Sequence, residues 1–140
     1  MNRTSLLIIV CLFVAVVCVS CKKGEDSNVI TFKNILSEKP YWEVLELKVV
    51  PQRAQPIANL DGVQFYQNNS GVFNVVLYNN GNPYQSIMDP SIRHLGGGKF
   101  YISNGLDEVY ISGMYLNIYE YRKEKGIEYQ YHYVLQEGQP

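Results

Sequence analysis

Beyond residue 21 the chain has no cysteine; Cys11, Cys18 and Cys21 are all there are. Whatever folds after that point does so without disulfides, and thiol chemistry and cysteine-ligated metal are excluded from it. Histidine is nearly as scarce. His94 and His132 stand in unrelated segments with neither HxH nor HExxH spacing, so no zinc set is implied, and no cofactor is called for. Strong charge is missing too. The 12 basic and 13 acidic side chains almost cancel, which leaves no electrostatic case for nucleic acid. Helical heptads, low-complexity tracts and fixed-period repeats are absent.

What the chain does have is a marked beginning. Arg3 precedes an apolar run from Leu6 to Val19, broken only by the thiols of Cys11 and Cys18. Fourteen residues of helix rise ~21 Å, short of the ~30 Å hydrocarbon core of a bilayer, so the run reads as a secretory signal rather than a permanent span. It ends on Val19-Ser20-Cys21. This ending resembles the lipobox of bacterial lipoproteins, although Cys18 stands where that pattern carries an aliphatic residue. The resemblance implies cleavage before Cys21 and a lipid on its thiol, with residues 1–20 the signal peptide and 21–28 a lipidated tether. An uncleaved anchor helix is the alternative, and either places the rest outside the cytoplasmic membrane. Lys22, Lys23, Gly24, Glu25 and Asp26 are similar to the surface-export signal of Bacteroidota lipoproteins, or else form a plain polar tether. The implied address is the cell envelope, at the outer membrane, on its periplasmic face or the cell surface.

Residues 29–140 suffice for one domain. Twelve tyrosines, all after residue 40, favour half-buried pleated surfaces. Phe32, Ile35 and Leu36 share a helical face before Pro40, predicting a short helix over Val29 to Glu38. Thereafter short segments are punctuated by turn chemistry: Tyr41 to Val50, Val63 to Gln67, Val72 to Tyr78, Tyr84 to Met88, Lys99 to Ser103, Glu108 to Ser112, Met114 to Lys123 and Ile127 to Gln136. Asp89 to Gly98 reads as irregular. The expectation is an all-β fold, an antiparallel up-and-down meander or barrel of about eight strands with a short N-terminal helix.

For the last hairpin, a three-residue loop Glu124-Lys125-Gly126 pairs Tyr121 with Tyr129 and Tyr119 with Tyr131, stacking tyrosines across strands. A two-residue loop would oppose Lys123 to Glu128 and Arg122 to Tyr129 instead. The first register puts Tyr119, Tyr121, Tyr129 and Tyr131 on one face, the candidate ligand-binding wall. It leaves Glu120, Arg122, Glu128, Gln130 and His132 on a wetter opposite face.

The helix, the segment ILSEKPYWEVLEL, the glycine-led LDGVQFYQNNSGVF and the closing tyrosine meander together resemble the small lipocalin-like domains of Bacteroidota lipoproteins. Tyr41 stands where lipocalins place a glycine before the tryptophan. The resemblance implies Trp42 at the closed end of a barrel and a small hydrophobic ligand inside. A filled barrel whose surface contacts proteins or glycans is the alternative, an envelope protein then being the partner beside the membrane itself.

Other constellations reduce to structure. Gly96-Gly97-Gly98-Lys99 is followed by Phe100 and a strand rather than by Ser or Thr and a helix, so it is no phosphate loop; its glycines suit a lip beside a barrel mouth. His94 with Asp89 and Ser91 is too local for a triad. Asp107-Glu108 and Glu43/Glu46 lack the cleft that two-carboxylate hydrolysis needs. Asn68-Asn69-Ser70 reads as a turn. No enzyme is expected.

Overall fold

The computed structural model describes residues 25–52 and 60–139, so Cys21, the signal segment and the first half of the tether lie outside the described residues. Helix α1 (Ser27–Glu38) opens the described chain. Asp26 caps it, its carboxylate accepting from the Asn28 N–H at 2.7 Å, which satisfies an amide left without an intrahelical partner. Its apolar spacing buries Val29, Phe32 and Leu36 along one stripe. Each contributes about 1.5–3 kcal/mol of burial. Pro40 ends the helix, and its carbonyl is turned to the Phe65 N–H at 2.6 Å.

Nine antiparallel strands follow among the described residues: β1 (Tyr41–Val50), β2 (Gly62–Gln67), β3 (Phe73–Asn79), β4 (Asn82–Met88), β5 (Ile92–Gly96), β6 (Lys99–Ile102), β7 (Leu106–Ser112), β8 (Tyr115–Glu124) and β9 (Ile127–Glu137). They form one sheet in the order β4-β3-β2-β1-β9-β8-β7-β6-β5. The meander joins β1 to β9, and the sheet stays open between β4 and β5, giving a curled half-barrel. Helix α1 lies across the concave side against β2 and β5. The Phe32 ring lies flat on Phe100 of β6, with centroids 4.0 Å apart and planes 6° from parallel. Trp42 is completely buried in the same core as Phe65, Ile102, Leu116, Ile118, Tyr131 and Tyr133.

Two expectations need correction. The stretch from Asp89 to Gly98 is not irregular throughout, because β5 occupies its middle and supplies an edge of the sheet. With five residues, one of them Arg93, and with only partial burial at Ile92, it carries no alternation long enough to read. The second correction concerns the last hairpin, whose loop is the two residues Lys125-Gly126, both left-handed, at φ 49° and 81°. That primed turn matches the right-handed twist of the strands it joins. Lys123 therefore opposes Glu128, and Arg122 opposes Tyr129.

A register displaced by one residue on one strand exchanges that strand's faces relative to its partner. Leu116, Ile118, Glu120 and Arg122 face the concave side with Tyr129, Tyr131, Tyr133 and Leu135. Tyr115, Asn117, Tyr119 and Tyr121 face outward with Gln130, His132 and Val134. Burial of Leu116, Ile118 and Leu135 favours this pairing over any gained by opposing tyrosines.

Candidate functional site

The new register divides the expected tyrosine wall. Tyr131 is wholly buried and Tyr129 partly so on the concave face, while Tyr119 and Tyr121 project from the convex one. The sheet separates the two pairs. Only at the free end of the hairpin do Tyr121 and Tyr129 meet a common groove, of about 420 Å³, beside Val50 and Pro51. Most of its lining is exposed, Tyr121 by 54 % and Val50 by 61 %, so it is a surface depression.

On the concave face the charged residues expected in water are instead built into the wall. Arg122 clasps Glu120 with both arms of its guanidinium: Nε–H donates to Oε1 at 2.7 Å and Nη2–H to Oε2 at 2.9 Å. Its Cζ lies 4.0 Å from the centre of the Tyr131 ring. A further donation reaches the Tyr133 hydroxyl at 3.3 Å. Burial pulls the pKa of this group down, but the Glu120 carboxylate more than offsets it and raises the Arg122 pKa. The fork is engaged from several directions, so it acts as a strut.

On the convex face Tyr110, Tyr119 and His132 form a row across β7, β8 and β9. Tyr119 is 6.3 Å from Tyr110 and 4.2 Å from His132, with planes 18° and 9° from parallel. Rings stacked across neighbouring strands stand on edge, and their faces are taken up by one another. Solvent meets ring edges and hydroxyls. His132 is not a freely solvated group. Its Nε2 donates to Asn117 Oδ1 at 2.9 Å, and burial with the Lys48 charge opposite lowers its pKa. Burial and a hydrogen bond with Tyr110 push the Tyr119 hydroxyl up to about 12, so it is no nucleophile at neutral pH.

A second concavity lies between α1 and the β5–β6 hairpin. It is a cleft of about 430 Å³ lined by Asn28, Thr31, Phe32, Ile35, His94, Gly97, Gly98, Phe100 and Ile111. Asn28, Thr31 and Ile35 form a second stripe on α1, adjoining the core stripe. The floor is the Phe32–Phe100 stack. His94, opposite Phe100 on the paired strand, lies over the same ring at 4.9 Å. Gly96, Gly97 and Gly98 all have positive φ (94°, 59° and 76°), a backbone path that side-chain-bearing residues rarely follow. The triple glycine thus forms a bare lip over apolar ground, and a volume of this size falls within the range of small-molecule sites.

None of the four tyrosines singled out from sequence lines this cleft, whereas His94 and the glycine run, set aside as structure, do. Ile35 was the available signal. It extends the apolar stripe of α1 past the core and remains 42 % exposed. Among the remaining sequence features, Asn68 caps its turn, Oδ1 accepting from the amides of Ser70 and Val72. Asp107, second residue of β7, accepts from the Tyr121 amide at 2.7 Å. Among the described residues no three His, Cys, Asp or Glu side chains converge as metal ligands. No described helix is long and apolar enough to cross a membrane. No protein-family model matches the chain, and no curated protein is significantly similar to it.

Proposed function

We propose that the chain is a lipid-anchored, extracytoplasmic binding module of the bacterial cell envelope that holds a small hydrophobic ligand between α1 and the β5–β6 hairpin. The observation that carries the ligand reading is the cleft itself. Ile35, with Ile111 beside it, offers apolar area seated on the Phe32–Phe100 stack already fixed in the core, and that preorganisation lowers the cost of binding. His94 supplies an adjustable donor and acceptor at its edge. The anchorage reading rests on the apolar run that ends at Cys21, and the envelope address follows from it. The arrangement offers shape and apolar area, with no nucleophile–base pair in the cleft, so the proposal is binding without turnover.

Fluorescence titration with dansylundecanoate tests the cleft. Saturable one-to-one uptake is expected, weakened tenfold or more by Ile35→Asp; uptake that ignores this change would return the cleft to mere packing. For the anchor, Cys21→Ala should leave an unprocessed or soluble protein, and normal processing with membrane partition in that variant would remove it.

The convex row favours a second reading, a surface that contacts an envelope protein or glycan. Tyr121 is 54 % exposed beside Tyr119, and Lys99 lies 5.4 Å from the Tyr110 ring centre. Edge-on rings offer hydroxyls and little open face, which suits a protein surface better than stacked sugar.

A further inference from the structure

We infer that β4 is a docking strand, and that its occupant is the β4 of a second copy of this chain, paired antiparallel about Ile87. This stands apart from the cleft and from the anchor. It comes from the two free edges of the sheet, which are built differently.

The edge at β5 is guarded. It has five residues, and the Arg93 guanidinium carbon lies 5.1 Å from the Tyr101 ring centre. Gly96, Gly97 and Gly98, all left-handed, carry the chain away at one end. Helix α1 packs beside it. Shortness, charge and a covering helix are means by which a sheet edge is kept from templating another strand.

The edge at β4 is guarded only at its ends. Pro83 and the bulge at Tyr84 shield its start, and Asp89, at φ 47°, turns the chain off after Met88. Between them Gln85, Ser86, Ile87 and Met88 carry no charge, glycine or proline. Ile87 is buried in the core, whereas Gln85, Ser86 and Met88 are exposed, Met88 by 73 %. The backbone groups of this stretch can be assigned. The Asp89 N–H donates to the Phe73 carbonyl at 3.0 Å, and the register runs back from Asn74–Met88 to Leu77–Gln85. Antiparallel ladders alternate, so Gln85 and Ile87 turn their amides and carbonyls to β3, and Ser86 and Met88 turn theirs outward. Two donors and two acceptors are thus presented at the spacing of a further strand.

Symmetry and charge favour a second copy as the occupant. A two-fold interface brings the same patch from both chains together. With the axis at Ile87, Ser86 of each copy exchanges backbone bonds with Met88 of the other, using all the outward groups. The two Ile87 side chains stand together on the concave face, and Gln85 opposes Asp89, so no like charges are opposed. The sheets of the two copies become continuous. So short a ladder buries less than the ~1,200 Å² of a stable complex, which makes the dimer weak and dependent on concentration.

The test uses the full chain in density-matched detergent micelles, followed by sedimentation equilibrium from low micromolar to near-millimolar concentration. A rise from one to two chains per particle is expected. Residue-resolved hydrogen exchange should show the Ser86 and Met88 amides slowing at least tenfold as the dimer forms, with those of Ile92 and His94 on β5 unchanged. Ser86→Pro removes an outward N–H and keeps the bonds to β3. Met88→Lys sets a cation on each side of the axis. Each should weaken the dimer at least tenfold, and Tyr115→Lys, away from this edge, should leave it intact. Met88 is exposed enough to accept a charge, so that variant decides if Ser86→Pro folds poorly. A chain monomeric throughout, a dimer undiminished by Met88→Lys, or protection confined to other strands overturns the inference. A synthetic peptide spanning Asn82 to Met88 exposes the other occupant. If it slows the Ser86 and Met88 amides of a chain that never dimerises, the edge serves an extended peptide and the second copy is excluded.

Discussion

The β8–β9 hairpin carries nearly the same chemistry on its two faces, and the faces behave differently because water reaches one of them far more freely than the other. Inside, Tyr131 and Tyr133 are fully buried and Arg122 is locked between Glu120 and the Tyr131 ring. Outside, Tyr119, Tyr110 and His132 are stacked in a row that solvent still touches. A buried aromatic brings its whole area and obliges its polar atoms to find partners; an exposed row gains only what neighbouring rings give one another. Aromatic content therefore did not identify a site. The ligand-sized cleft formed where the sheet is open and a helix only partly covers it.

The largest expected effects lie inside. Trp42→Ala and Tyr131→Ala should each destabilise by about 3–5 kcal/mol in urea unfolding, as for a buried large aromatic cut to a methyl. Tyr119→Ala on the outer face should cost about 1 kcal/mol. A loss at Tyr119 equal to that at Tyr131 would erase the distinction between the faces, and a change within ~0.5 kcal/mol at Trp42 would place that ring on the surface.

Next comes the strut. Glu120→Gln removes the charge that Arg122 clasps while preserving the shape. With side chains 25 % and 12 % exposed, the pair is partly screened, so the expected loss is about 2 kcal/mol, less than the 3–5 of a fully buried pair. Joint replacement by Leu and Met should recover much of it, because the desolvation cost leaves with the charges. Double-mutant unfolding measures this. An additive double mutant would show that the two residues act independently.

Much of this architecture was legible in the sequence. Alternation and turn residues located α1 and eight of the nine strands, and Pro40 marked the end of the helix. Three things escaped, for distinct reasons. Strand β5 is short and partly exposed, so pairing with β6, rather than its own composition, makes it a strand. The hairpin register depended on a contest between cross-strand tyrosine pairs and the burial of Leu116, Ile118 and Leu135, which local pairing energies of ~0.2–1 kcal/mol cannot decide against a core. The cleft was illegible for a third reason. Thr31, His94 and Phe100 are separated in sequence, and only the open edge of the sheet, with α1 across it, brings them together.

Gly62 offers a smaller test, of packing on the face of the sheet opposite Trp42. It pairs with Glu43 across β1, and a Cβ there would stand 2.5 Å from the Tyr41 hydroxyl oxygen and 3.0 Å from Cζ. The Tyr41 ring thus covers a glycine in the strand beside it and meets Tyr78 edge to face at 5.4 Å. Gly62→Ala should cost about 1–2 kcal/mol by displacing that ring. Restoration by Tyr41→Leu in the same chain would assign the loss to the ring, and no change in either variant would show Tyr41 free to move.

The smallest effect belongs to the outer row and appears as pH dependence. His132 is held neutral by burial and by Lys48, with Glu46 and Glu108 pulling weakly the other way. Its folded pKa is therefore below the ~6.5 of an unfolded chain. Below that value the unfolded state binds the proton more readily, so stability is full above about pH 6.5 and declines as pH falls toward the folded pKa. The decline should be under about 1 kcal/mol, since the ring is only partly buried. His132→Gln, which can still donate to Asn117, should flatten that segment of the stability–pH curve and leave stability at pH 8 nearly unchanged. If the decline persists in the variant, another group carries it; if stability instead rises as pH falls, the imidazolium is favoured in the folded state and the outer face would, like the inner one, be organised around a cation held between rings.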